Sequence, residues 1–337
     1  MAVTIHDVAR ASGVSTAAVS KVLHGAGKTV RVSEVRAALI RETADRLNYR
    51  PNSVARNLRG RKTGAVGLVF EHFGTIAQGP RYYAHLLDGI GQVLYANQFR
   101  LTILPDMSNE DLLSALSDGQ LEGVVWCKLA LDPALLALIE QCPIPIVAMN
   151  AGHCDQMLTA SFVGCDNDAG IELAVEHLWE LGHRKIAFAN EVEEEKTPDC
   201  VARREAFVRS LQERGVGATM LAWDWHAYDF QLWMNSKPPE TALICWTEAL
   251  AGRVLLRSTE AGIRIPDQLS VVGFDSTDYC DTTTPKLSAI RQPIVEMAKQ
   301  AATKVLNHIQ GDLDHSSIIF PCEFDRREST STVRSSP

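Results

Sequence analysis

A short predicted helix near the N terminus carries side chains that could read the bases of a DNA duplex. Val19, Val22 and Leu23 are spaced so that they face inward from this helix. The opposite face would carry small, polar and basic side chains, those of Thr16, Ala17, Ser20, Lys21 and His24. Such a face fits the major groove, where Lys21 suits guanine and Ala17 can offer only apolar contact, for example to a thymine methyl group.

The residues before this helix predict a partner helix that would position it. Thr4 can cap the first helix, Gly13 supplies a turn, and Ser15 can cap the second helix. The inward face of the first helix would consist of Ile5, Val8 and Ala9. Two short helices joined by a turn with glycine form a helix-turn-helix. Taken alone, the pattern also fits an ordinary helical hairpin at the start of a globular protein.

A third predicted helix follows a loop rich in charge and glycine, residues 25–31. Ser33 can cap this helix. Its packing face, at helical spacing, would be Ile40, Ala44 and Leu47. Lys28 and Arg31 in the loop are either phosphate contacts or solvated loop charges, and the sequence leaves both interpretations open.

The distribution of charge separates the N terminus from the rest of the chain. The chain has 337 residues and a net charge of −8. Residues 1–62 contain 12 of the 33 Lys and Arg but 4 of the 41 acidic residues, so this segment carries +8 and the remainder −16. A basic head on an acidic body favours a polyanionic partner for the head.

Residues 52–59 predict a helix that folds only against a partner. Arg50-Pro51 ends the preceding helix, and the segment has few residues to bury: Val54, Ala55 and Leu58. Helices this short are marginal in water. The alternative is a plain linker with one exposed leucine.

These N-terminal residues resemble the DNA-binding head of the lactose-repressor/galactose-repressor (LacI/GalR) family. The motifs that carry the resemblance are Ile5-x-Asp7-Val8-Ala9, Gly13-Val14-Ser15, Val19-Ser20-Lys21-Val22-Leu23 and Leu47-Asn48-Tyr49-Arg50-Pro51-Asn52-Ser53-Val54-Ala55-Arg56-x-Leu58. The resemblance implies that residues 52–59 become a hinge helix on operator DNA, with Leu58 as a wedge that kinks the minor groove and Arg59 as a contact beside it. The complete set of predicted DNA contacts is Thr4, Ser15, Thr16, Ala17, Ser20, Lys21, His24, Lys28, Arg31, Asn52, Ala55, Leu58 and Arg59.

From Gly64 onward the sequence alternates short apolar runs with amphipathic stretches. This pattern predicts an α/β fold with parallel sheets flanked by helices, in two similar halves. Further motifs resemble the LacI/GalR core: Val163-Gly164-Cys165-Asp166-Asn167, Gly182-His183-Arg184, Val271-Val272-Gly273-Phe274-Asp275, Thr284-Pro285-x-Leu287 and Arg291-Gln292-Pro293.

The family implies a core of two subdomains, like that of periplasmic binding proteins. In this core, helix 294–310 and strand 317–320 return to the first half. The predicted domains are a head at 1–49, a hinge at 50–62, a two-lobed effector-binding and dimerisation core at 63–330, and a tail at 331–337.

Ligands of open α/β sheets bind beyond the carboxyl ends of the strands, so the cleft between the two halves is the predicted effector site. Asp275 ends an apolar strand there, and by resemblance it matches the family's ligand-binding aspartate. Arg203 matches an arginine that would donate a forked pair of hydrogen bonds to the ligand. The remaining predicted effector contacts are Tyr82, Tyr83, Asn150, Trp246 and Thr247. Each residue also has a structural alternative: a turn cap, a surface ion pair or a core aromatic.

The chain departs from the family pattern at several cleft positions, so its effector cannot be copied from another member. Thr247-Glu248 stands where the family usually has Asn-Asp, and Asn150-Ala151 stands where it often has Asp-Arg. The 6 Trp residues would suit the apolar faces of sugars, and a carbohydrate is therefore the predicted effector.

Other protein classes fit the sequence less well. The 8 Cys show no metal-ligand spacing, which predicts reduced thiols in a cytoplasmic protein without metal or cofactor. We find no catalytic motif, and the chain has a basic head but no export signal, which argues against a transporter's solute-binding protein. The sequence predicts a ligand-responsive transcriptional regulator, most simply a homodimeric repressor on a pseudo-palindromic operator. A constitutive DNA binder with a degenerate effector site is the remaining alternative.

Overall fold

A computed structural model describes residues 3–24, 30–49, 63–70, 81–104, 108–127, 133–149, 161–224, 229–312 and 314–333. The chain divides into two compact units, Met1–Thr63 and Gly64–Pro337. Several predicted features lie outside the described residues and stay predictions: the hinge at 50–62 and the contacts Lys28, Asn52, Ala55, Leu58, Arg59 and Asn150.

The first unit contains the three predicted helices. They are α1 (Ile5–Ser12), α2 (Thr16–His24) and α3 (Glu34–Arg46). Their shared core consists of Val8, Ala9, Val19, Ile40 and Ala44, all buried. Ser33 occupies the N-cap position of α3, but its side chain makes no capping hydrogen bond there.

The first lobe of the second unit is built on a six-stranded parallel sheet. Its strands are β1 (Ala65–Phe70), β2 (Arg100–Leu104), β3 (Gly123–Cys127), β4 (Ile146–Met149), β5 (Ser161–Cys165) and β11 (Ile318–Phe320), in the order β11-β5-β4-β3-β1-β2. The chain segments of this lobe also form α4 (Tyr82–Ala96), α5 (Asn109–Ser117), α6 (Pro133–Gln141) and α11 (Ile294–Gln310).

The second lobe repeats this architecture with one antiparallel edge strand. Its strands are β6 (Ile186–Glu191), β7 (Thr219–Trp223), β8 (Ala242–Cys245), β9 (Ser270–Asp275), β10 (Ser288–Arg291) and β12 (Glu323–Asp325), in the order β12-β10-β9-β8-β6-β7. Strand β12 is antiparallel to β10. The helices are α7 (Asn167–Glu180), α8 (Pro198–Glu213), α9 (Asp229–Asn235) and α10 (Glu248–Glu260).

Within the described residues the chain crosses between the lobes three times: from β5 to α7, from β10 to α11 and from β11 to β12. Helix α11 packs on the first-lobe strands β3, β4 and β5, and β11 pairs with β5. The predicted return of the late helix and strand to the first half is therefore confirmed.

Close packing of α11 on α4 depends on a glycine. A Cβ atom at Gly89 would lie 2.5 Å from the carbonyl oxygen of Val295, on the facing helix. Only a residue without a side chain permits this approach. In the described part of the chain, no helix is long and apolar enough to cross a membrane.

Candidate DNA-binding face and effector site

The first helix of the head begins at a capping box. The Thr4 hydroxyl accepts a hydrogen bond from the backbone N–H of Asp7 at 3.4 Å, and the Asp7 carboxylate accepts one from the N–H of Thr4 at 2.9 Å. The Thr4 hydroxyl also donates to that carboxylate at 2.7 Å. Thr4 thus starts α1, as predicted, and its hydroxyl is already engaged within the head.

A tight turn then directs the chain into α2. Gly13 has φ +67°, in the left-handed region that glycine adopts without strain. Ser15 accepts a hydrogen bond from the N–H of Ala18 at 3.3 Å, which confirms the predicted cap. Val19 is fully buried, and Val22 and Leu23 pack against the same core. The inward face of α2 is therefore the predicted one.

The outer face of α2 is narrower than the sequence suggested. Ala17 is exposed, and Thr16 and Lys21 are half-buried. Ser20, in contrast, is only 5% exposed, so its assignment to the outer face was wrong. Ser20 follows the buried Val19 directly and lies one turn before Leu23, which places it at the border of the packed face. Arg31 is exposed, in the segment before α3.

In the second lobe, Arg203 is the centre of a buried hydrogen-bond network. It lies on α8 and is 3% exposed. Its Nε donates to Oδ1 of Asn167 at 2.8 Å, and its Nη1 donates to the carbonyl oxygen of Trp246 at 2.6 Å. The guanidinium also lies 3.5 Å from the centre of the Phe274 ring. Arg203 is therefore not a surface ion pair, and two of its donors are used within the protein.

Asp275 lies at the carboxyl end of β9 in a conformation that aspartate adopts rarely. Its φ is +94° and its exposed fraction is 4%. Backbone strain of this kind concentrates at functional sites. Oδ1 accepts a hydrogen bond from Nε2 of Gln292 at 2.6 Å. Burial raises the pKa of Asp275, while the nearby Arg203 opposes that effect.

Gln292 belongs to the Arg291-Gln292-Pro293 motif, but the sequence did not predict it as a site residue. It follows β10 at the second crossing between the lobes and is 4% exposed. Its Oε1 is one of the buried side-chain atoms in the described residues that have no hydrogen-bond partner. Because such an atom costs free energy, an acceptor left in this position favours a ligand that donates a hydrogen bond.

Trp246 follows β8, and hydrogen bonds hold both its backbone carbonyl and its indole ring. Its carbonyl accepts from Arg203, and its indole Nε1 donates to Oε2 of Glu191 at 2.6 Å. Glu191 also forms an ion pair with Arg253. The sequence predicts a solvated loop for the acidic run at 191–195, and this is wrong for Glu191, whose carboxylate accepts the hydrogen bond of the indole.

Thr247 and Glu248, the two residues after Trp246, make hydrogen bonds within the protein. The Thr247 hydroxyl caps α10 by accepting from the N–H of Leu250 at 3.3 Å. Glu248 is fully buried and accepts hydrogen bonds from the backbone N–H of Thr277 at 2.7 Å and from its hydroxyl at 2.5 Å. Burial, followed by the nearby Asp275, raises the pKa of Glu248 to about 7.

Tyr82 and Tyr83, the predicted aromatic contacts, lie at the start of α4 in the first lobe. Tyr82 is buried, Tyr83 is half-buried, and their rings are 5.8 Å apart in an edge-to-face arrangement. One turn later, Nε2 of His85 lies 3.2 Å from Oδ1 of Asp278, in the segment after β9. This contact brings the start of α4 near the site in the second lobe.

Asn167 and Asp199 were also missed. Asn167 donates to Oδ1 of Asp199 at 2.9 Å while accepting from Arg203. Asp199 is 6% exposed, and burial raises its pKa although Arg203 opposes the shift. Both residues lie at the starts of helices, where an acid or amide usually signals only a cap, so their shared contact could not be predicted from residue types.

For the two histidines near α7, the sequence predicts a packed side chain at His177 and a cation at the helix C terminus at His183, rather than a pair of metal ligands. His177 stacks on Phe324 with ring centres 4.4 Å apart, which confirms a packed histidine. His183 was expected to be a cation at the helix C terminus, and that was wrong. It is 3% exposed, hydrogen-bonds Thr241 and the carbonyl of Ser331, and has a pKa lowered by burial.

The polar groups of the second lobe can bind a small polar molecule by hydrogen bonds, beside the aromatic faces of Trp246 and Phe274. Among the residues that the structure describes, no cluster of three or more His, Cys, Asp or Glu side chains could hold a metal ion.

Comparison with known families matches both units. Residues 4–52 match the model of the bacterial regulatory proteins of the lacI family. Residues 175–330 match a periplasmic binding protein-like domain. The two matched segments contain the helix-turn-helix and most of the second lobe.

Relatives of known function align over nearly the whole chain. Catabolite control protein A of Priestia megaterium is 28% identical over 342 residues, which cover 98% of this chain and 100% of that protein. The HTH-type transcriptional repressor PurR of Vibrio atlanticus (strain LGP32) is 28% identical over 331 residues, covering 94% of this chain and 95% of the repressor.

Solved structures share the fold. The lac repressor dimer bound to operator and the anti-inducer ONPF has a TM-score of 0.82 at 21% identity, over 98% of this chain and 100% of that chain. The transcriptional regulator CelR in complex with cellobiose has a TM-score of 0.72 at 22% identity, over 97% and 99%. With the capped helix-turn-helix, the two-lobed core and these full-length relatives, the chain belongs to the LacI family of DNA-binding transcriptional regulators and is not an enzyme.

Proposed function

We propose that the protein is a homodimeric repressor that binds a pseudo-palindromic operator. Its affinity for the operator falls or rises when a small neutral molecule, most simply a carbohydrate, binds in the interlobe site. The observation that carries the DNA-binding part is the capped helix α2, whose face with Ala17 and Lys21 lies on a head of net charge +8. Such a helix can enter a major groove while the surrounding cations contact phosphates.

The names of the relatives support repression and a sugar effector. PurR of Vibrio atlanticus is a transcriptional repressor, and the CelR structure contains cellobiose. A LacI family regulator from Enterococcus faecium, of TM-score 0.70, was solved with ribose. In this chain, the unpartnered Oε1 of Gln292 supplies an acceptor for a ligand hydroxyl.

The DNA-binding role of α2 can be tested with Lys21→Ala. We expect a loss of about 1–3 kcal/mol on the specific site and a relaxed preference at one base pair of each half-site. Fluorescence anisotropy on specific and random duplexes measures both effects. Lys185→Ala removes an exposed lysine from the core and is the matched control. An equal loss on both duplexes would contradict base reading by Lys21.

The effector site can be tested by a thermal-shift screen of sugars and nucleosides with the wild type and Asp275→Asn. Asparagine tolerates a positive φ and can still accept from Gln292, so the fold should persist, while ligand hydroxyls lose the second carboxylate oxygen as an acceptor and binding is weakened or lost. A ligand that stabilises the wild type and Asp275→Asn equally would not bind at this site.

One observation favours a second candidate, a constitutive DNA binder with a degenerate effector site. Arg203 and Asp275 both make hydrogen bonds inside the protein that a ligand would otherwise take. If no compound in the screen shifts the melting temperature while DNA binding persists, this second function replaces the first.

A further inference from the structure

Two cysteines lie on two different crossings between the lobes. Cys165 is the last residue of β5, at the crossing into α7. Cys322 lies between β11 and β12, on another crossing. Phe320 of β11 pairs with Cys165, and the Asp166 N–H donates to the Phe320 carbonyl at 2.9 Å, so the two segments are held side by side.

The two cysteines lie in neighbouring, confined segments. Each residue is 8% exposed, the Cys165 thiol donates a hydrogen bond to Oδ1 of Asn167 at 3.6 Å, and each thiol shifts the pKa of the other. On its other side, Cys322 packs against Gly170 of α7, where a Cβ atom would lie 3.2 Å from the sulfur. Cys322 is therefore confined against the first turn of α7, the helix that begins two residues after Cys165.

The surroundings make the two sulfurs chemically different. Interaction with the Cys165 thiol lowers the pKa of Cys322, and the positive charge of Arg203 acts in the same direction, although burial opposes both. The same interaction, together with burial, raises the pKa of Cys165. Cys200 shows the usual effect of burial, which raises its pKa to about 12. Because the thiolate is the reactive form, Cys322 is the nucleophile of the pair.

We propose that Cys165 and Cys322 form a reversible disulfide when the protein meets a hydroperoxide. The Cys322 thiolate attacks the peroxide, the O–O bond breaks, and Cys322 becomes a sulfenic acid as the peroxide is reduced to water or an alcohol. The Cys165 sulfur then attacks the sulfenic sulfur, an S–S bond forms and water leaves with the Cys165 proton. A small dithiol reductant returns both residues to thiols by exchange.

This disulfide would connect two of the crossings on which any movement between the lobes depends. Asn167, two residues after Cys165, holds Arg203 and Asp199 in the effector site. Oxidation therefore affects both the crossings between the lobes and the residues that would contact the ligand. The chemistry itself does not depend on the proposed function, since disulfide formation can be measured without DNA or effector.

The test oxidises the full-length protein under native conditions with a small excess of hydrogen peroxide. Peptide mass spectrometry should then detect a Cys165–Cys322 cross-link, and a thiol titration in denaturant should lose two of the 8 thiols. A dithiol reductant should restore them. Cys165→Ala and Cys322→Ala should both abolish the cross-link. Cys200→Ala, which replaces a buried cysteine of the second lobe, is the control and should keep the cross-link.

The location of the oxidised residues decides the outcome. Peroxide-treated protein that keeps Cys165 and Cys322 as free thiols, or that forms only other cross-links, overturns the proposal. If the cross-link forms, the oxidised protein should show at least a threefold smaller ligand-induced change in melting temperature or DNA affinity than the reduced protein. An unchanged response would show that the disulfide has no effect on how the protein responds to its ligand. Failure of the proposed function would instead appear in the reduced protein as the absence of any ligand response.

Discussion

At the scale of single residues, Glu248 is the group whose ionisation should most affect stability near neutral pH. Its pKa in the folded protein is raised from its ordinary value of 4.5 to about 7 by burial and by the nearby Asp275. The folded state therefore holds a proton that the unfolded state releases. Its stabilising contribution is complete below pH 4.5 and is lost as the pH rises through 7.

We expect the free energy of unfolding to fall by roughly 3 kcal/mol between pH 4.5 and 7 on account of this residue. Urea titrations across this range measure the effect as a difference between wild type and Glu248→Gln. Glutamine keeps the shape and cannot ionise, so its pH profile should lack this decline. His177, whose pKa is lowered to about 4, makes an opposite contribution to the pH dependence. Because both proteins contain His177, subtracting one profile from the other cancels this contribution. Parallel profiles would show that Glu248 is ionised in the folded protein throughout.

Residue-level prediction from the sequence succeeded where one side chain determines one local feature. Thr4, Gly13 and Ser15 are recognisable because caps and tight turns need particular side chains. Ser20 shows the limit, since a serine gives no sign of which border of a helix it occupies. Gln292 could not be found for a different reason. Its role depends on Asp275, which lies on a neighbouring strand.

At the scale of elements, the two N-terminal positions of α1 and α3 allow a matched comparison. Thr4 caps α1 through its side chain, whereas Ser33 makes no such bond at α3. Thr4→Ala should destabilise α1 by about 1 kcal/mol, and Ser33→Ala should cost only a few tenths. Amide hydrogen exchange of residues 5–12 and 34–46 measures the two helices separately. Equal acceleration in both variants would show that the Thr4 bond is not stabilising.

Helix α4 offers a second comparison within one element. Gly89→Ala would place a Cβ atom against the backbone of α11, and we expect a loss of about 1–3 kcal/mol. Gly91→Ala meets no heavy atom within 4 Å, so improved helix propensity should make it neutral or stabilising by up to about 1 kcal/mol. Denaturant unfolding compares the two variants. If Gly89→Ala is as stable as Gly91→Ala, the two helices must be able to separate without cost.

Most elements of the core could be predicted because parallel strands buried on both faces are continuous apolar runs. Strand β3, Gly-Val-Val-Trp-Cys, is buried at every position. The strands β5, β10 and β12 and the helix α9 were not predicted as elements. These are short, and β10 reads Ser-Ala-Ile-Arg, in which only a neighbouring strand makes an extended conformation favourable.

At the scale of the molecule, the arrangement of the site depends on the three crossings and could not be derived from residue spacing. Gln292 and Cys322 reach the second lobe only because strands distant in sequence lie beside one another. The overall architecture was available from the family resemblance. The contacts among Asn167, Asp199 and Arg203 were not, because Asn167 lies on α7 and the other two on α8, and residue spacing does not show how these helices meet.

The central claim is that one protein couples a DNA-reading head to a ligand site in the core, and the most direct test measures operator affinity with and without ligand. Fluorescence anisotropy should use the full-length protein, fragments from its own chromosomal neighbourhood, and a ligand found by the thermal-shift screen. We predict that the ligand changes the affinity of the wild type at least tenfold, and that Asp275→Asn binds the same fragment but no longer responds. Equal affinities with and without a ligand that demonstrably binds at the Asp275 site would contradict the account.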